Sequence, residues 1–147
     1  MAYISTEDLI DELGEGLLVE LTDDNDTGEI NENVITKAID YAVGTFEAYA
    51  RTRYSLPVPA TALVKSRCLD LAIYKLFRKR AEFDEGVFKV KKTAHDETIS
   101  FLKDLQAGRA ALDIPATEET IESPATGDQI LSNKSNSKFT DEKFKGF

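Results

Sequence analysis

The densest run of oxygen-bearing side chains is Asp23-Asp24-Asn25-Asp26-Thr27-Gly28-Glu29-Ile30, which has the pattern of the first half of a calcium-binding loop. Asp23, Asn25 and Thr27 would supply oxygens at its first, third and fifth positions, Gly28 the turn at the sixth and Ile30 the apolar eighth. The twelfth position is Val34, where a bidentate Glu is required. Losing two of roughly seven oxygen ligands leaves Asp23, Asn25 and Thr27 as weak metal candidates only. The competing reading is an Asx-rich turn that leads into the following helix. Nucleophilic chemistry has less to work with. Cys68 falls on an apolar helical stripe and reads as core, while His95 falls in a polar stretch expected to be exposed, so the two do not form a nucleophile and its base. There is no glycine-rich phosphate loop, no carboxylate pair in an apolar setting and no metal triad, so no catalytic residue and no cofactor is expected.

The remaining candidates are charged. Lys75, Arg78, Lys79 and Arg80, with Lys89, Lys91 and Lys92 nearby, could form a duplex-binding patch, or a solvated helix end whose cations suit the C-terminal dipole. Arg51 and Arg53, beside Tyr54, are residue types favoured at interfaces, and they too would suit a helix C-terminus.

Helices must position these groups. Ser5-Thr6-Glu7-Asp8 has the form of a capping box and opens a short helix through Leu9, Ile10 and Leu13, with Gly14 as its stop. Glu15 to Leu21 forms another turn or two before the polar run Thr22 to Gly28. Asn31 caps a long helix carrying Val34, Ile35, Ala38, Ile39, Ala42, Phe46 and Tyr49 at intervals of three or four. That helix is expected to end near Arg53, because Pro57 and Pro59 force extended backbone and remove amide donors. A central helix runs from about Thr61 to Arg80 on Leu63, Val64, Cys68, Leu71, Ala72, Leu76 and Phe77. The last carries Val87, Val90, Ala94, Phe101, Leu102 and Leu105 and stops at Gly108; its polar middle, Lys91 to Thr98, is expected to face solvent or a partner. The class is therefore all-α, a small bundle of about four helices over residues 1–111, followed over residues 112–147 by an extended tail. Pro115, Pro124, Gly127 and a Ser/Asn/Lys run give that tail a composition that does not fold alone, yet Phe139, Phe144 and Phe147 sit among its lysines.

The chain has 147 residues, about one domain by size, with 27 acidic and 18 basic side chains and a net charge of -9. Surplus acid argues against binding driven by phosphate neutralisation. No apolar run approaches the roughly 18 residues needed to cross a bilayer, and no signal peptide is expected from Met1 to Leu13. A single cysteine permits neither an intrachain disulfide nor a cysteine cluster. The charge is segregated: residues 1–34 hold eleven acids and no Lys or Arg, whereas residues 35–111 hold fourteen bases and nine acids. An acidic front and a basic middle can neutralise each other within one chain or stack front against middle between copies.

These residues together resemble a phage family. Leu21-Thr22-Asp23 entering an Asp/Gly turn, a long helix ending in Tyr49 and followed by Arg53-Tyr54-Ser55-Leu56-Pro57, a helix bearing Asp70-Leu71-Ala72-Ile73-Tyr74, and the Phe139 to Phe147 ending are similar to the Mu-like bacteriophage head-tail connector proteins. The resemblance spans nearly the whole chain. It implies a non-enzymatic structural adaptor of the virion that forms a dodecameric ring beneath the portal vertex, meets the portal protein and a downstream neck or tail-terminator protein, and encloses double-stranded DNA without reading its sequence. It would reside at the head-tail junction, and in the host cytoplasm during assembly. On that reading Glu12, Glu15, Glu20, Asp23, Asp24 and Asp26 line the channel or face the next subunit, Arg51, Arg53, Arg78, Lys79 and Arg80 serve subunit contacts, and Phe139, Phe144 and Phe147 anchor the tail on a partner. The alternative is a small acidic regulatory or DNA-binding helical protein that uses Arg78 to Lys92.

Overall fold

The computed structural model describes residues 2–80 and 85–114, and these form five α-helices and no strand. In chain order they are α1 (Thr6–Leu13), α2 (Glu15–Thr22), α3 (Glu32–Ala50), α4 (Ala62–Lys79) and α5 (Glu85–Ala107). The fold is all-α, with one helix more than the count expected from the sequence. Glu15 to Thr22 is a helix in its own right rather than a passing turn, because Leu18 and Leu21 are fully buried and hold it against the body.

Local chemistry sets the boundaries. Ser5 and Asp8 form a reciprocal capping box at the start of α1, and Gly14, at φ +89°, both ends α1 and begins α2. Asn31 accepts the amide hydrogens of Asn33 and Val34 to start α3, and Thr61 accepts that of Val64 to start α4. α3 ends at Ala50, three residues before the expected Arg53: the amides of Arg53 and Tyr54 both turn back to the Ala50 carbonyl, closing the helix before the proline segment is reached. Gly108, at φ +85°, ends α5.

α4 is the axis of the body and packs against each of the other four helices, most extensively α3 and α5. Its buried residues Val64, Cys68, Leu71, Ala72, Ile73, Leu76 and Phe77 cover more than one face, as a central helix requires. α3 contributes Ile35, Ala38, Ala42, Phe46 and Ala50; the three alanines let the two backbones come close. α1 lies over the N-terminal half of α4, where Asp8 meets Lys65 at 3.5 Å.

The last helix differs from its sequence reading at both ends of its polar stretch. Val87 and Val90 belong to the apolar pattern but are 39% and 64% exposed, because in this part of α5 it is Phe88, stacked on Tyr74, that faces the core. The stretch Lys91 to Thr98 is not wholly solvated. Thr98 is fully buried, and His95 stacks on Tyr74 with 4.0 Å between ring centroids while its Nε2 lies 3.2 Å from the Tyr41 hydroxyl. Beyond α5, Leu112 is buried and its amide donates to the Tyr54 hydroxyl, while Thr61 donates to Asp113 at 2.6 Å. The proposed tail with Phe139, Phe144 and Phe147 lies outside the described residues.

Candidate functional site

The charged candidates gather where the loop between α2 and α3 meets the C-terminal end of α4. Asp23 organises that loop from one carboxylate: Oδ1 accepts from the amides of Asn25 and Thr27 and from the Thr27 hydroxyl, and Oδ2 accepts from the Gly28 amide at 2.6 Å. The Thr27 amide, followed by that of Gly28, holds this carboxyl below the usual range. Both oxygens thus serve the turn, the arrangement of an Asx-type loop. Asp24 points the other way, onto Lys79 at 2.6 Å and Arg80 at 3.1 Å, and Arg80 also donates to the Asp23 carbonyl. The hydrogen bond from Lys79 is the main reason that the Asp24 carboxyl sits below its ordinary value. Among the described residues no group of three His, Cys, Asp or Glu side chains is arranged to hold a metal ion.

Beside this clamp opens a cleft of about 470 Å³ between α3 and α4. Val34, Ala38 and Leu76 form its floor; Lys37, Lys75, Arg78 and Lys79 stand around it, with Asp24 the one carboxylate among the described residues that line it. Lys79 is neutralised by Asp24, but Lys37, Lys75 and Arg78 form no ion pair among the described residues. The Lys75 ammonium lies 5.1 Å from the centre of the Tyr41 ring and the Arg78 guanidinium 5.9 Å from that of Tyr74, contacts that position the two cations at the border of the cleft without neutralising them. The arrangement offers a cationic rim over an apolar floor, suited to a carboxylate-bearing surface.

The other sequence candidates are distributed over the surface. Glu12, Glu15, Glu20 and Asp26 are exposed; Glu12 borders a second hollow of about 270 Å³ together with Lys65 and Asp70, at the opposite end of α4 from the cleft. Arg51 is exposed and its Nε donates to the Glu47 carbonyl, closing the end of α3. Arg53 lies against Gly108, so close that a side chain on that glycine would collide with the guanidinium. The structure therefore brings Asp23, Asp24, Lys79 and Arg80 together within one subunit and leaves Glu12, Glu15 and Arg51 apart from them.

Lys37 escaped the sequence reading. Its signal was present: it lies between Val34 and Ala38 on a helix whose other lysines are absent, but its partners Lys75 and Arg78 are some forty residues away and only the α3 to α4 packing makes them neighbours. A polar core network was missed as well. Thr98 donates to Asp70 at 2.9 Å, Arg67 donates to Thr98 at 3.4 Å, and the Arg67 guanidinium lies 4.6 Å from the centre of the Phe101 ring. Burial raises the Asp70 carboxyl, and the hydrogen bond from Thr98 opposes that rise. This network ties α4 to α5 and is structural.

No helix of the described residues is long and apolar enough to cross a membrane. Residues 3–130 match the model of a family described as Bacteriophage Mu, Gp36. No curated protein shows a match to the chain.

Proposed function

The chain belongs to the Bacteriophage Mu Gp36 family, and from that premise we propose that it is a structural head-tail connector, a ring-forming adaptor beneath the portal that joins the capsid to the tail and continues the DNA channel. The observation that carries this reading is the family match over the whole helical body, in a chain whose acidic and basic residues are segregated along the sequence. A closed ring requires two different, complementary faces on each subunit, and segregated charge supplies them. Surplus acid also suits a protein surrounding DNA that must pass without sticking. Its role is assembly, with no catalytic step, and its partners are further copies of itself, the portal protein and a downstream neck or tail-terminator protein. Duplex binding through Arg78 to Lys92 is disfavoured by the surplus acid of the chain and by the cations of that stretch already engaged, Lys79 and Arg80 with Asp24 and Lys92 with Asp96, although Arg78 forms no ion pair among the described residues.

Light scattering together with negative-stain images, on the protein alone and then mixed with a portal ring, tests the proposal. A ring, or a monomer that becomes a ring on the portal, is expected. A persistent monomer indifferent to the portal would overturn it.

A further inference from the structure

We propose that the cleft between α3 and α4 is the socket of the subunit interface, and that its occupant is the acidic α1 edge of a second copy of this chain. The inference rests on the ring-forming reading and deepens it by naming the two faces that meet.

The socket has a floor of Val34, Ala38 and Leu76 and three cations, Lys37, Lys75 and Arg78, with no carboxylate partner among the described residues. Like charges held around one hollow repel, and an incoming anionic surface relieves that repulsion. The chain has such a surface: residues 1–34 hold eleven acids and no base, and on α1 Glu7, Asp11 and Glu12 are exposed. Among the described residues only Asp8 of that helix is paired with a base, Lys65.

Position excludes filling the socket with the same subunit's α1. Asp8 and Glu12 lie beside Lys65 near the start of α4, and the socket lies beside Lys75 and Arg78 near its end. Thirteen residues of helix separate Lys65 from Arg78, on the order of 20 Å at a rise of about 1.5 Å per residue. A donor surface and an acceptor surface at opposite ends of one rigid helix make a head-to-tail contact, the kind that closes into a ring.

Charge reversal in the full-length chain tests this. Lys37→Glu with Arg78→Glu reverses the socket, and Asp11→Lys with Glu12→Lys reverses the edge; all four positions are exposed, and circular dichroism confirms that each variant folds. Each reversed protein is expected to self-associate, alone or on a portal ring, about tenfold or more weakly than the wild type, and the chain carrying both reversals is expected to regain assembly. Wild-type rings that neither reversal affects would overturn the socket while leaving the adaptor reading intact. A wild-type protein that forms no ring even with the portal would remove both. Salt-sensitive binding of a short labelled duplex by the monomer, abolished by Lys37→Glu, would reassign the cleft to phosphate and also overturn the proposal.

Discussion

At the scale of single residues, the polar atoms inside the body carry more information than the apolar ones. Thr22 is fully buried at the end of α2; its hydroxyl donates to the Leu18 carbonyl at 2.8 Å and accepts from the Asn31 amide at 3.0 Å. That one oxygen joins α2 to the N-cap of α3 across the Asp-rich loop. Thr22→Val keeps the shape and removes the acceptor, leaving a part-buried amide without its partner. The expected cost is about 1–3 kcal/mol, read as a lower midpoint in denaturant with an unchanged slope. A midpoint equal to the wild type would mean that water replaces the hydroxyl without loss. Cys68 illustrates the opposite situation. Burial pushes its thiol up to about 12, so at neutral pH it stays protonated within the core. Alkylation near pH 8 should therefore proceed only as fast as the protein opens, and modification at the rate of a free thiol in native protein would contradict that placement.

At the scale of elements, the loop between α2 and α3 is governed by two neighbouring carboxylates with different tasks. Asp23 folds the loop on itself and Asp24 fastens it to α4. Both carboxyls lie below their ordinary value in the folded protein. Their contribution is therefore present above the unfolded carboxylate value of about 4 and is lost as pH falls through the lower folded values. Asp70 has the opposite sign, since burial raises it: its charge opposes folding at neutral pH, and that opposition fades on protonation. Thermal melts from neutral to acid pH should show a falling limb below about pH 4 that becomes shallower in Asp24→Asn. An identical limb in that variant would place the acid sensitivity elsewhere. Sequence made these elements legible where capping chemistry is local: Ser5, Gly14, Asn31 and Thr61 each mark a boundary by interactions within four residues. It was silent on facing. Periodicity groups Val87 and Val90 with Leu102 and Leu105, but the structure turns Phe88 rather than the two valines toward α4. His95 was placed in solvent for the same reason, since Tyr41 and Tyr74, which enclose it, come from two other helices. The cationic cleft was half visible: Lys75, Arg78 and Lys79 are adjacent in sequence, whereas Lys37 joins them only through packing.

At the scale of the whole molecule, a net charge of -9 conceals a division of labour. Part of the opposition between acidic front and basic middle is resolved within the subunit, by Lys65 with Asp8 and by Lys79 and Arg80 with Asp24; on the adaptor reading the remainder meets a neighbour. Leu112 and Asp113 tie the end of the described chain to Tyr54 and Thr61. The composition of residues 115–147, poor in apolar side chains until Phe139, Phe144 and Phe147, gives those rings a role only if something outside the segment buries them. Each ring fully buried contributes roughly 1.5–3 kcal/mol, so three can offset much of the ordering cost of a short anchored stretch. On the adaptor reading the burying surface is the portal or an adjoining subunit. Deleting residues 135–147 should then leave the thermal midpoint of the isolated subunit nearly unchanged while abolishing the joining of filled heads to tails in an assembly assay. Phe139, Phe144 and Phe147 replaced together by Ala should reproduce the loss without shortening the chain. If truncated subunits attach heads to tails as efficiently as intact ones, the aromatic ending has no anchoring role, and the contacts that hold the adaptor in place must come from the charged faces of the helical body alone.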